Sequence, residues 1–137
     1  MNIQIKIYSG YKGKEILPLY EAVGWTNYTA RPQMLEQAYL NSLRVYGAYE
    51  EDRLVGIIRV VGDGHSVILI QDIIVHPDFQ RRGIGSLLIQ KVKAEYEGVY
   101  QMHLFTEDRE KTIAFYRSLG FQMAKEMGCC GFSIYST

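Results

Sequence analysis

Only two residues of this chain are cysteine, Cys129 and Cys130, and they are neighbours. No disulfide framework or metal-ligand spacing can be built from them, so they read as two small residues entering a final strand. Histidine is as sparse. His65, His76 and His103 are isolated, and no metal is expected. An excess of one charge is also missing: fifteen Lys and Arg balance fifteen Asp and Glu. That argues against the broad field that draws a protein to nucleic acid or an anionic membrane, so neither is an expected partner. No apolar run approaches the length of a membrane span. The stretch Met1-Asn2-Ile3-Gln4-Ile5-Lys6-Ile7 alternates polar and apolar residues where a secretory leader would carry a charged and then an apolar region. It reads as a first strand, and cytoplasm is the expected compartment. What the chain has in quantity is apolar character, 47% of 137 residues. One domain over 1–137 can bury a core with that, without disulfides or a metal.

The order of elements follows from periodicity and punctuation. After a strand at Ile3 to Tyr8, the residues Ile16, Leu17, Leu19, Tyr20 and Val23 predict a short helix, interrupted early by Pro18 and closed near Gly24. A loop carrying Trp25, Asn27, Tyr28 and Thr29 follows. Pro32 then suits a first helical turn and opens a helix through Met34, Leu35, Ala38, Tyr39 and Leu43. From Val45 to Val75 the pattern becomes β-branched runs separated by turn residues, a three-strand antiparallel meander. Its last run, Val67 to Val75, is almost continuously apolar, as a central strand covered on both faces would be. Ile84, Leu87, Leu88, Val92 and Tyr96 then recur at helical spacing. Tyr100 to Thr106 reads as a strand parallel to the central one, because a helix intervenes. A short helix through Thr112, Ile113, Phe115, Tyr116 and Leu119 stops at Gly120, and Phe121 to Lys125 and Phe132 to Tyr135 read as a closing pair of strands. The expectation is an α/β mixed sheet with helices on both faces.

The most informative stretch is the turn after the central strand, Gln80-Arg81-Arg82-Gly83-Ile84-Gly85. The first N–H groups of a helix lack internal partners and sit at the positive end of its dipole, so they suit a phosphate. Gly83 and Gly85 have no Cβ to keep an anion away, and Arg81 and Arg82 can add charge-assisted bonds. The bland alternative is a tight strand-to-helix connection with solvated arginines. No Gly-Lys-Ser/Thr follows, which excludes a P-loop, and the third glycine of a dinucleotide fingerprint is missing.

With the preceding Asp72-Ile73-Ile74-Val75-His76-Pro77-Asp78-Phe79, the turn resembles motif A of the GNAT superfamily of N-acetyltransferases. Ala114-Phe115-Tyr116-Arg117-Ser118-Leu119-Gly120-Phe121 resembles a second signature of that family, and the likeness runs from about Leu54 to Phe121. It implies a GNAT-like fold and transfer of an acetyl group from acetyl-CoA to a primary amine, by direct attack in a ternary complex. The alternative is an acyl-CoA-binding module that senses the coenzyme without turnover. The resemblance also implies that the main chain at Ile73, Ile74 and Val75 holds the pantetheine like an added strand. The pyrophosphate falls to Gln80, Arg81, Arg82, Gly83, Ile84, Gly85 and Ser86. Tyr116 matches the tyrosine that protonates the leaving thiolate, while Phe115 reads as an ordinary half-buried aromatic. Many members carry Asn where Arg109 stands here, so that contact is absent or becomes cationic.

Asp72 is the nearest acid that could act as general base, although its side chain should point away from the face of Ile73 and Val75; deprotonation through water is the alternative. Trp25, Tyr28 and Tyr39 occupy the segment that forms the acceptor wall in similar proteins. Their rings suit an amine by stacking or cation–π attraction, or else belong to the helical core, the better reading for Tyr39. Homodimers are common among similar proteins. The acceptor is not specified.

Overall fold

The structure is a computed structural model describing residues 2–136, and the chain divides after Phe105 into two compact units. The first unit holds the whole sheet. Strands β1 (Ile3–Ile7), β2 (Arg44–Glu50), β3 (Arg53–Gly62), β4 (Val67–Val75) and β5 (Gln101–Leu104) lie side by side in chain order. The first three junctions are antiparallel and β4–β5 is parallel. The parallel junction arises because β5 is reached through helix α4 (Ile84–Glu95) and not through a hairpin. The mixed sheet is therefore as expected.

Helices cover both faces. Ile16, Leu19 and Tyr20 of α1 (Gly13–Ala22), with Leu35 and Tyr39 of α3 (Pro32–Leu40), form one buried cluster with Ile57 of β3 and Ile74 of β4. Gly56, the neighbour of Ile57, meets Ile84 of α4; a Cβ built there would lie 3.6 Å from it. Successive strand residues face opposite ways, so α4 covers the other side.

Several boundaries differ from expectation for local reasons. Pro18 does not interrupt α1: the carbonyl that loses its partner belongs to Lys14, and both residues are exposed, so water can serve that face. The Trp25 loop winds into one helical turn, α2 (Thr26–Thr29). α3 stops at Leu40 because Asn41 and Ser42 bond back to Gln37 and Ala38, and Leu43 N–H already donates to Val60 of the sheet. On α4, Leu87 is exposed and Ile89 takes its place in the buried stripe.

The second unit contains α5 (Glu110–Ser118) and none of the closing strands. Ala124–Met127 is instead a 3₁₀ turn. Glu126 reaches back to Met123 N–H and pairs with Arg117, and Gly128 closes the turn at φ 81°, so local partners replace a ladder. Phe132, Ile134 and Tyr135 are exposed, and Cys129 and Cys130 are exposed free thiols that enter no strand. Among the described residues no helix is long and apolar enough to cross a membrane.

The β3–β4 turn is organised by Asp63, whose carboxylate accepts from the N–H groups of His65, Ser66 and Val67 and from the Ser66 hydroxyl. These donors, the hydroxyl first, hold its pKa well below the ordinary carboxylate range. A depressed folded-state pKa contributes stability that is complete above the ordinary value near ~3.9 and is lost as pH falls through the folded value. Asp63→Asn is therefore expected to unfold at lower denaturant than the parent at neutral pH, with the gap closing below about pH 4. Urea midpoints of both proteins across that range test this.

Candidate functional site

The site begins with one extra residue. β3 and β4 pair Ile57 with Ile74, Ile58 with Ile73 and Arg59 with Asp72, and then Val60 with Ile70. Gln71 is left without a partner, the mark of a β-bulge. On the other side of β4 the ladder with β5 runs from Val67–Gln101 to Ile70–Leu104 and ends there. From Gln71 to Val75 one edge of β4 is therefore paired with no strand among the described residues. The bulge also resets the alternation of side chains. Cross-strand partners share a face, so Asp72 and Ile74 lie with Arg59 and Ile57 on the α1–α3 side, while Ile73 lies with Ile58 on the α4 side.

The open edge of β4 leads into the arginine turn. A 3₁₀ turn, Pro77–Phe79, follows His76, whose Nδ1 accepts from Asp78 N–H. Phe79 is buried, and the guanidiniums of Arg53 and Arg82 lie 5.2 and 5.4 Å from its ring centroid. Arg81 and Gly83 both have left-handed backbone, at φ 65° and 81°. Gly83 N-caps α4 and its carbonyl takes the first helical bond, from Leu87 N–H. The N–H groups of Ile84, Gly85 and Ser86 thus have no acceptor within the helix. A Cβ on Gly83 would meet nothing within 4 Å, so the main chain is open to an anion and glycine is required there by its dihedral alone. Ile84 anchors the helix with a fully buried side chain. Gln80 does something different from its neighbours: its amide donates to Val75 C=O at 2.9 Å, tying the turn to the strand end.

Asp72 is 2% exposed, and its Oδ2 accepts from Arg59 Nε and from the Tyr20 hydroxyl, each at 2.8 Å. Arg59 is itself buried and donates also to Ser42 Oγ at 3.3 Å. Burial opposes the charge on Arg59, but Asp72 outweighs it and the guanidinium's pKa is raised. Tyr20 and Tyr39 join hydroxyls at 3.0 Å, and burial drives both pKa values well above the ordinary phenol range. Asp72 is thus occupied by partners and closed to solvent. The sequence reading missed Arg59, Tyr20 and Ser42. The visible signal was an arginine among Gly56-Ile57-Ile58 and Val60-Val61, opposite an equally isolated acid.

The aromatic segment divides. Tyr39 is core, whereas Trp25 and Tyr28 are half-exposed, their ring centroids 6.2 Å apart and each resting on Tyr20, at 5.9 and 5.3 Å. The Tyr28 hydroxyl accepts from Gln71 Nε2 at 3.4 Å, which places this wall beside the bulge.

In the second unit Tyr116 is buried on α5, its ring edge-on to Phe115 and Phe121. Burial raises its pKa, and the Thr106 side chain works the other way. Arg109 N-caps α5 and pairs with Glu107 at 3.0 Å, largely exposed. Among the described residues no group of three or more His, Cys, Asp or Glu could hold a metal ion.

Proteins of known structure share this fold. A profile of the acetyltransferase (GNAT) domain matches residues 41–123. A GNAT-family acetyltransferase from Streptococcus pneumoniae is 44% identical, with TM-score 0.89 over 98% of each chain. A ycf52-like N-acetyltransferase of Prochlorococcus marinus is 30% identical over 86% of this chain and 67% of its own length. The PaiA N-acetyltransferase of Thermoplasma acidophilum, solved in complex with coenzyme A, shares the fold at 18% identity and TM-score 0.72, over 89% of this chain and 91% of its own. The chain belongs to the GNAT family of acetyltransferases.

Because only the dihedral requires glycine at position 83, Gly83→Ala is expected to lower the unfolding free energy by about 1–2 kcal/mol. Denaturant titration checks the figure; a neutral effect would mean that the turn relaxes at no cost.

Proposed function

We propose that the chain transfers an acetyl group from acetyl-CoA to a primary amine by direct attack in a ternary complex, both units acting as one domain. The observation that carries this reading is the edge of β4 from Gln71 to Val75, paired with no described strand, continued by the N–H groups at the start of α4 that have no acceptor within the helix. Main-chain groups of Ile73, Ile74 and Val75 would hold the pantetheine, and Arg81, Arg82, Gly83, Ile84, Gly85 and Ser86 the pyrophosphate. Gln80 serves by holding the turn against Val75. The exposed free thiols fit a reducing, cytoplasmic setting.

Acetyl-CoA, when bound, supplies the thioester carbonyl that the amine attacks. The nitrogen lone pair forms the C–N bond, the C–S bond breaks with its electron pair on sulfur, and the nitrogen releases its surplus proton to water. Tyr116 is the proposed donor of a proton to the departing sulfur. Its raised pKa keeps the phenol protonated at neutral pH. A coenzyme-binding module without turnover is the rival reading, and what favours it is that Asp72 is already committed to Arg59. Release of coenzyme A thiol from acetyl-CoA, measured across a panel of primary amines, separates the two.

Tyr116→Phe is expected to lower kcat by about 10²-fold or more while leaving the affinity for acetyl-CoA unchanged. Equal loss in both, measured by steady-state kinetics and calorimetry, would remove the assigned role. Arg82→Glu is expected to weaken acetyl-CoA binding by at least about tenfold in calorimetry, with thermal unfolding as the control for its contact with Phe79. Unchanged affinity in a folded variant would reject the pyrophosphate assignment.

A further inference from the structure

Phe132, Ile134 and Tyr135 are 92, 97 and 85% exposed, in a segment, 129–136, that belongs to no ladder. Single apolar residues on a surface are ordinary. Three within four positions form a patch, and an apolar patch marks a surface that something else covers. The order Phe132-Ser133-Ile134-Tyr135 suits a strand, with Phe132 and Ile134 on one face and Ser133 and Tyr135 on the other. What this arm lacks is a row of main-chain partners.

The first unit carries such a row. β5 is the last strand of the sheet and pairs only with β4 among the described residues. Gln101 N–H donates to Ser66 C=O, so the main-chain groups of Gln101, and by alternation those of His103, are spent on β4. Those of Met102 and Leu104 therefore face outward, along the free edge. The side chains beside that edge match the arm. Met102 and Leu104 are half-buried on one face, where Phe132 and Ile134 would lengthen an apolar row. The other face carries Gln101 and His103, bonded to each other at 3.0 Å, and then the exposed ring of Phe105, polar and aromatic neighbours for Ser133 and Tyr135.

We propose that the arm of one copy adds as a further strand to the free β5 edge of a second copy, which returns the same contact. Because arm and edge belong to one chain, a two-fold pair satisfies both at once, whereas a different protein on either would leave the other bare. The area is sufficient. An aromatic side chain can bury about 150–250 Å², so two arms, each with two rings and an isoleucine, hide on the order of 1,000 Å² before the receiving edges are counted; a specific interface needs about 1,200–2,000 Å² in all. Charge does not oppose the pairing, since the net charge is zero. The exchange holds equally for a transferase and for a coenzyme-binding module.

Gel filtration with light scattering on the full chain at micromolar concentration is expected to give the mass of two chains. Phe132→Ser combined with Ile134→Ser alters only exposed side chains and should raise the dissociation constant of the pair by at least about tenfold. Amide hydrogen exchange then identifies the receiving edge. The N–H groups of Met102 and Leu104 should exchange at least about tenfold faster in the serine variant, or in the parent diluted to single chains, than in the paired parent, while those of Gln101 and His103 keep their protection from β4. A parent with the mass of one chain overturns the exchange, including the case in which Met102 and Leu104 are protected because the arm folds onto its own sheet. An unchanged dissociation constant in the serine variant overturns the arm's part, and equal exchange at Met102 and Leu104 in paired and single chains overturns β5 as the receiver.

Discussion

One unpaired residue in the central strand, Gln71, is the constraint from which the site follows. A strand without it would keep one alternation of faces along its length. The parallel pairing with β5 ends one residue before it, at Ile70–Leu104, and no described strand pairs with that edge of β4 from Gln71 onward. The same residue turns Asp72 toward α1 and α3, where Arg59 stands directly opposite on β3. A backbone irregularity thus re-aims a charge at the place where an edge opens, in keeping with the frequency of bulges beside active sites.

That charge is tolerable because it is paired. Removing one member of a buried pair leaves the other uncompensated, at about 3–5 kcal/mol, a large part of the stability of a small domain. Arg59 and Asp72 do not stand alone. Tyr20 gives its proton to Asp72, Tyr39 shares the Tyr20 hydroxyl, and Ser42 at the end of α3 takes the outer nitrogen of Arg59. The pair therefore joins α1 and α3 to the sheet at the place where the strand is irregular. Tyr20 serves twice, since its ring also carries Trp25 and Tyr28. The aromatic wall rests on a residue with no exposure, and its position is set by the core.

Much of this was legible before any coordinates. The strand ending at Val75, the turn at Gln80 to Gly85 and the helix beyond it are local features, written in apolar periodicity and in glycines that punctuate it. Tyr116 was singled out through its surrounding signature. The bulge was not legible, because register depends on the pairing of two strands, and a near-continuous apolar run such as Val67 to Val75 marks no position as extra. Arg59 was hidden for a related reason: its meaning lies in the residue across the ladder. The closing strands failed differently. Phe132, Ile134 and Tyr135 have the composition of a strand, but a strand exists only with a partner, and the local bonds of Glu126 satisfied the preceding segment first.

Two tyrosines show how far a side chain's role is set by its neighbours. Both phenols have pKa values raised by burial, and both retain their proton at neutral pH. The Tyr116 ring lies edge-on to Phe115 and Phe121. The Tyr28 hydroxyl accepts from Gln71, the residue that the bulge leaves without a partner on β3. Its ring rests on Tyr20, whose own hydroxyl donates to the buried Asp72. The acid can be kept there only because Arg59 lies across the strand from it.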